Sequence, residues 1–166
     1  MECPRNQSIE YEEGVSLHIS TDKNSYAPGA TMHVRFLVTN TGKEPLYLFR
    51  NVGQCSSQYG WLSVSLRDEQ NRNVGSWECS VDDPLIATRD FVGILSNPKS
   101  GVFLKQGEIY GREEGYELPK KAGTYQLTAE LAPGGVSKEQ DEALVQHQMR
   151  VLRGTCLAPA VTITVK

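Results

Sequence analysis

The stretch Met32-His33-Val34-Arg35-Phe36-Leu37-Val38-Thr39 decides the fold. Met32, Val34, Phe36 and Val38 fall on one side of an extended chain, and His33, Arg35, Leu37 and Thr39 on the other. This period of two marks a strand buried on one face, because successive side chains of a pleated strand point opposite ways. Upstream, Val15-Ser16-Leu17-His18-Ile19-Ser20 alternates in the same manner. Tyr26-Ala27-Pro28-Gly29 between the two is turn chemistry, with proline fixing φ and glycine supplying a positive one. Downstream, Asn40-Thr41-Gly42-Lys43 predicts a hairpin-type turn into a strand led by Pro45 and continued by Leu46-Tyr47-Leu48-Phe49.

The pattern extends along the rest of the chain. Trp61-Leu62-Ser63-Val64-Ser65-Leu66 alternates, and the polar turn 68–73 returns the chain into Val74-Gly75-Ser76-Trp77. Within 80–100, Asp82-Asp83-Pro84 and Ser96-Asn97-Pro98 break any long element. Val102-Phe103-Leu104 and Ile109-Tyr110 read as short strands. Tyr125, Leu127, Ala129 and Leu131 form one apolar face, and Val161-Thr162-Ile163-Thr164-Val165 is the closing strand.

One segment departs from this rhythm. Ser137-Lys138-Glu139-Gln140 matches a capping box, good helix formers follow, and Gly154 is a natural stop. Val145, His147, Met149 and Val151 also alternate, which would suit a strand. The helix is preferred, over 138–152, with contacts expected from Leu144 and from Val151 or Leu152. Short strands, frequent turns and no βαβ rhythm therefore predict an all-β chain. Its sheets should pack as an antiparallel β-sandwich, with a short helical insertion before the last strand. Residues 1–13 read as an N-terminal arm and 14–166 as a single domain.

Composition removes several classes of function. The 166 residues carry 17 Lys+Arg against 20 Asp+Glu, a net charge of -3, and the pI is near 5.6. That balance gives no electrostatic reason for a nucleic-acid partner. No apolar run approaches the ~20 residues that span a bilayer, so no transmembrane segment is expected.

The turn and strand order also resembles known families. Tyr26-Ala27-Pro28-Gly29, the alternating strand to Asn40-Thr41-Gly42, and Pro45-Leu46-Tyr47-Leu48 resemble the opening of bacterial immunoglobulin-like or fibronectin-like extracellular modules. Gly123-Thr124-Tyr125-Gln126-Leu127 looks like their penultimate strand, where a tyrosine forms a corner. The resemblance implies an immunoglobulin-like sandwich. A cysteine would stand two residues after that tyrosine in antibody-type domains; here the place is taken by Leu127, so the central inter-sheet disulfide is missing. Residues 26–78 are also similar to the intracellular proteinase inhibitor family of Bacillus (the BsuPI type), which implies a cytosolic inhibitor instead.

Cys3, Cys55, Cys79 and Cys156 form no close metal-binding pair, and an even count on a β-rich chain suits two disulfides in an oxidising compartment. Reduced, buried thiols are the alternative. Following strand direction up and down the sandwich brings Cys55 and Cys79 to one end. In immunoglobulin-like sandwiches the last strand runs beside part of the first, which implies Cys3–Cys156 at the other end. Cys3 could instead be free or lipidated. Met1-Glu2-Cys3-Pro4-Arg5 lacks an apolar leader core. The expectation is a secreted, periplasmic or envelope protein whose leader is absent from this chain.

Candidate chemistry is sparse. His18 and His33 could be cross-strand neighbours on a solvent face, but two histidines without a placed carboxylate make a poor metal site. Cys156 with His147 could be imagined as a dyad, yet their spacing says nothing of geometry. Asp82-Asp83, Asp90 and Glu113-Glu114 do not supply the oxygen ligands calcium needs. No nucleophile elbow and no phosphate-cradling glycine loop is present, and Asn6-Gln7-Ser8 is a short sequon of a kind that arises by chance. No enzyme activity, cofactor or metal is expected. The loop Asn51–Trp61 mixes aromatics with small polar residues, as contact surfaces do, and Tyr59, Trp61 and Trp77 are its candidate contact residues. The plainer role for these rings is to plug one end of the sandwich. The sequence thus predicts a non-catalytic binding or structural module with a protein or polysaccharide partner. The alternative is a protease inhibitor presenting 51–61 to a serine protease.

Overall fold

The structure, a computed structural model, describes residues 13–49, 61–77, 91–99, 101–133 and 137–166. The decisive stretch is a ten-residue strand, β3 (Thr31–Asn40), in which Met32, Val34, Phe36 and Val38 are buried while Thr31, His33 and Arg35 are exposed. On one side it pairs antiparallel with β1 (Val15–Thr21), placing Ile19 opposite Phe36 and Leu17 opposite Val38. On its other side runs β8 (Ile109–Glu117), with Arg112 opposite Phe36. These three strands are one layer.

The second layer has the order β2-β11-β9-β5-β6, with β10 (Cys156–Leu157) also on β9. Its members are β2 (Ser25–Tyr26), β5 (Trp61–Arg67), β6 (Asn73–Trp77), β9 (Gly123–Ala132) and β11 (Val161–Val165). The chain leaves the first layer after Thr21 and enters the second at Ser25, where β2 runs parallel to the last strand. All other named pairings in the two layers are antiparallel. Ile19, Val34 and Phe36 from one layer share a core with Val64, Leu66, Leu127, Leu131 and Ile163 from the other. The expected immunoglobulin-like antiparallel sandwich is the architecture of the chain.

Tyr125 forms the corner expected of it. At the start of β9 it is buried, and its hydroxyl donates to the Lys121 carbonyl at 2.7 Å. The bond ties the strand to the turn that leads into it. Leu127 is fully buried and fills with apolar volume the position that a bridging cysteine holds elsewhere.

Four expectations need correction. The turn after Asn40 does not make a hairpin: β4 (Leu46–Phe49) pairs with β7 (Gly101–Leu104) instead of β3. The cause is Asn40, wholly buried, whose amide donates to the carbonyls of Glu44 at 2.8 Å and Leu104 at 2.9 Å. Its Oδ1 accepts from the Gly42 N–H at 3.0 Å, so one side chain replaces the ladder that a hairpin would have made.

The helical insertion is present but shorter. Its start is the capping box read from sequence, with Ser137 and Gln140 exchanging side-chain and backbone bonds, and α2 covers Lys138–Gln146 rather than 138–152. The helix is capped at His147, and Gln148, with a positive φ of 55°, turns the chain out of it. Leu144 and Val151 do share a small core, though only Leu144 is helical, and Leu152 joins the main core. Strand β8 is longer than expected, because Gly111, Gly115 and the glutamates between them dilute the apolar signal. A short helix, α1 (Phe91–Ser96), stands where only breakers were read. Its end presses on β7 so tightly that a Cβ at Gly101 would meet the Leu95 carbonyl oxygen at 1.8 Å. Among the described residues no helix is long and apolar enough to cross a membrane.

Candidate functional site

Several of the residues singled out from sequence lie outside the described residues: Cys3, Cys55, Cys79, Tyr59, Asp82, Asp83, Asp90 and the loop 51–60. For Trp61 and Trp77 the backbone is placed. Trp61 opens β5 opposite Ala132, and Trp77 lies opposite Val64 on the neighbouring strand, near the same end of the sheet. Cys156 is fully buried at the start of β10, its sulfur 3.6 Å from the Val15 carbonyl oxygen where the first strand begins. It is not a free cysteine, and the three cysteines it could meet lie outside the described residues.

The two strand histidines are not neighbours. Both are exposed, but His18 sits opposite Leu37, whereas His33 lies four residues further along β3, on the order of 13 Å away at the rise of a strand. The expectation that they meet assumed a register that places them side by side. His33 instead lies 3.8 Å from Glu113, which also meets Arg35 at 3.4 Å. Each partner in this cluster is about half exposed, so it is a solvated surface network of small energetic weight. Glu114 is held by Arg112 on the opposite face of the same strand.

The arrangement with the most definite geometry is a groove of about 330 Å³ at the end of the larger sheet. The register that sets Arg67 opposite Gln126 places the β5–β6 turn beside the entry to β9. One wall is the turn 68–72. The Asp68 carboxylate accepts from the N–H groups of Gln70 at 3.0 Å and Arg72 at 2.9 Å, and from Arg72 Nε at 2.8 Å. Arg72 Nη2 lies 2.7 Å from Oδ2, the same Asp68 oxygen that Nε reaches, while Oδ1 takes the two backbone N–H groups, and Asn71 turns the chain with a φ of 60°. The other wall is Lys121 to Tyr125, fixed by the tyrosine corner. Between the two fixed backbones, Gln70, Lys121 and Val74 present an amide, an ammonium and an apolar side chain to solvent.

Sequence reading noticed both halves, as the polar turn 68–73 and as the tyrosine corner in Gly123-Thr124-Tyr125-Gln126-Leu127, without joining them. The join depends on strand register between segments more than fifty residues apart. No local pattern reports it.

Among the described residues, the ionisable groups with shifted pKa values move away from neutrality. The Arg72 side chain holds the Asp68 carboxyl below the usual range, and the Tyr26 hydroxyl, donating at 2.7 Å, does the same for Asp22. Burial raises the Tyr26 phenol, and burial followed by the nearby Glu114 charge pushes Tyr116 up to about 12.

No protein-family model matches this chain, and no curated protein matches its sequence. Solved structures of similar shape exist at low identity. The C-terminal domain of Wzt is 9% identical, with a TM-score of 0.49, covering 96% of this chain and 80% of that one. Spo0M, a sporulation control protein from Bacillus subtilis, is 12% identical with a TM-score of 0.47, covering 93% of this chain. This chain spans half of the Spo0M chain, at 50%. The CARDB domain of PF1109 from Pyrococcus furiosus, in complex with di-metal ions, is 9% identical with a TM-score of 0.42, covering 98% of this chain and 94% of that one. The partial likeness of residues 26–78 to the Bacillus inhibitor family is not among what these comparisons support.

Proposed function

We propose that this chain is a non-catalytic binding or structural module working in an extracellular or cell-envelope setting, with a protein or polysaccharide as its partner. The observation that carries the reading is the groove between turn 68–72 and residues 121–125. Its two backbones are locked by the Asp68–Arg72 grip and the Tyr125–Lys121 bond, while its rim offers mixed polar and apolar side chains. A surface already held in one shape loses little conformational freedom on binding, which is the condition for a useful recognition site. Disulfides Cys55–Cys79 and Cys3–Cys156 belong to the same reading, as fasteners of a module outside the reducing cytosol.

Amide chemical-shift mapping with a panel of soluble oligosaccharides tests it. Shifts confined to 68–74 and 121–125 support the groove. Shifts at Trp61 and Trp77 instead would move the contact to the far end of β5, beside the loop 51–61. Stoichiometric inhibition of a subtilisin-type protease would replace the reading with that of an inhibitor.

A further inference from the structure

We propose that the outer edge of β8 is a self-association surface, on which a second copy of this chain adds its own β8 antiparallel, about a two-fold axis at Glu113. The first layer ends on this strand: its order is β1-β3-β8, and among the described residues β8 pairs with β3 alone. The two ends of that ladder show which backbone groups face outward. The Leu118 N–H donates to the Ala30 carbonyl at 2.9 Å, and the Asn40 N–H to the Glu108 carbonyl at 3.1 Å. Even-numbered residues of β8 therefore turn their N–H and C=O groups toward β3, since each side of an antiparallel strand uses alternate residues. Ile109, Gly111, Glu113, Gly115 and Glu117 turn theirs away. All five are exposed, and among the described residues these outward backbone groups have no hydrogen-bond partner.

An open row of backbone donors and acceptors is a template for another strand, and proteins that keep such an edge single blunt it with proline, lysine or a bulge. The nine residues of β8 include neither proline nor lysine. Its register against β3 steps without a shift from Glu117 at Thr31 to Ile109 at Thr39. The charge that β8 does carry is arranged to match its own reversal.

That arrangement identifies the occupant. The run Tyr110-Gly111-Arg112-Glu113-Glu114-Gly115-Tyr116 reads the same from either end, except that Arg112 and Glu114 exchange sign. Turned over against itself at Glu113, the strand sets Tyr110 opposite Tyr116, Gly111 opposite Gly115 and Arg112 opposite Glu114, each twice. Facing aromatics and opposite charges stabilise a strand pair. Arg112 and Glu114 already form an ion pair within one strand, and the second copy brings the same pair reversed, so the four charges alternate. Each odd-numbered residue exchanges both of its backbone bonds with its mate. The axis sets Glu113 against its own copy, a like-charge contact, but each carboxylate has Arg35 at 3.4 Å and His33 at 3.8 Å beside it. The edge belongs to the smaller layer and the groove at 68–72 to the larger sheet, so the association is independent of what the groove binds.

The test uses the full chain, with sedimentation equilibrium and amide exchange followed over a series of protein concentrations, and Glu113→Pro as the variant. The Glu113 N–H points outward, so proline there spares the bonds to β3 and removes bonds from the new ladder. Expected for the parent is a monomer–dimer equilibrium in which the amides of Gly111, Glu113 and Gly115 gain protection as the dimer forms, while those of Arg112 and Glu114 are protected in both states. A sample that mixes differently labelled copies should give an Hα–Hα cross-peak between Arg112 of one copy and Glu114 of the other, because residues of a non-hydrogen-bonded pair approach closely. Glu113→Pro should weaken the dimer by roughly tenfold or more, the worth of the two bonds at the axis. A parent that stays monomeric at every concentration overturns the proposal. So does a dimer in which Gly111, Glu113 and Gly115 exchange freely, or one that the folded variant leaves intact, because the copies would then be joined elsewhere. The parent's exchange pattern and cross-peak decide the matter even where the variant does not fold.

Discussion

The sandwich and the helical cap beside it are held together in different ways. Between the sheets, burial is continuous: Ile19, Met32, Val34, Leu66, Leu127 and Ile163 are all at most 1% exposed and belong to one core. Among the described residues of the cap, formed by α1, α2 and the segment after α2 over the β4–β7 ribbon, the buried cluster is Leu95, Leu144, Met149 and Val151, with Tyr47 and Val92 against them. Its position depends on a few specific contacts: the buried Asn40 amide, the Arg150 bonds and the close fit of α1 on Gly101. A core made from many interchangeable apolar contacts yields a cooperative unit. A small cluster fastened by single contacts opens locally, below the free energy of global unfolding.

Two leucines break or sharpen this contrast most strongly. Leu127 and Leu144 are equally buried, each at 0% exposure. Leu127→Ala should lower the stability of the whole protein by roughly 2–5 kcal/mol, read from the urea midpoint. Leu144→Ala should leave that midpoint nearly unmoved and instead raise exchange rates within 138–146. Equal losses of global stability would merge the two regions into one unit.

Gly101→Ala comes next. The added carbon would meet the Leu95 backbone, at 1.8 Å from oxygen and 2.6 Å from carbon, and backbone cannot rotate away as a side chain can. We expect α1 to be displaced at a cost of roughly 1–3 kcal/mol, the range for overpacking, seen as lost amide protection over 92–96. Asn40→Ala tests the junction itself. It leaves the Leu104 and Glu44 carbonyls without their donor and should cost about 1–3 kcal/mol, with the shift changes centred on 41–46 and 104–108.

Legibility follows the same division. Alternation is a local property, so β1, β3, β5, β9 and β11 could be read from their own residues, and so could the capping box of α2. Asn40 looked like the first residue of a hairpin turn, because nothing near it in sequence reveals the Leu104 carbonyl sixty-four residues away. Val145 to Val151 carried both a helical and an extended signal; the helix ends at Gln146, and after it comes an isolated bridge from Arg150 to Leu46 rather than a strand. The groove at 68–72 and 121–125 is a product of register and packing. Its residues were visible beforehand but their adjacency was not.

The smallest effects are on pH dependence, and both of the groups concerned belong to the sandwich. Asp22 has a lowered folded pKa, so its contribution is present above the unfolded carboxyl range and is lost as pH falls through the folded value. Tyr116, raised to about 12, contributes fully below its ordinary value of 10.0 and loses that contribution as pH climbs toward 12. Asp22→Asn should flatten the acid limb of a stability–pH curve and Tyr116→Phe the alkaline limb. Replacing residues of the cap should alter neither.

Native-state hydrogen exchange across a denaturant series tests the division between sandwich and cap most directly. Amides of β3, β5 and β9 should exchange only through global unfolding, with a shared free energy and a full denaturant slope. Amides of α1 and α2 should exchange at well lower free energies with shallow slopes. If the α2 amides instead converge with those of β9 at every denaturant concentration, the cap is part of the same cooperative core and the account is contradicted.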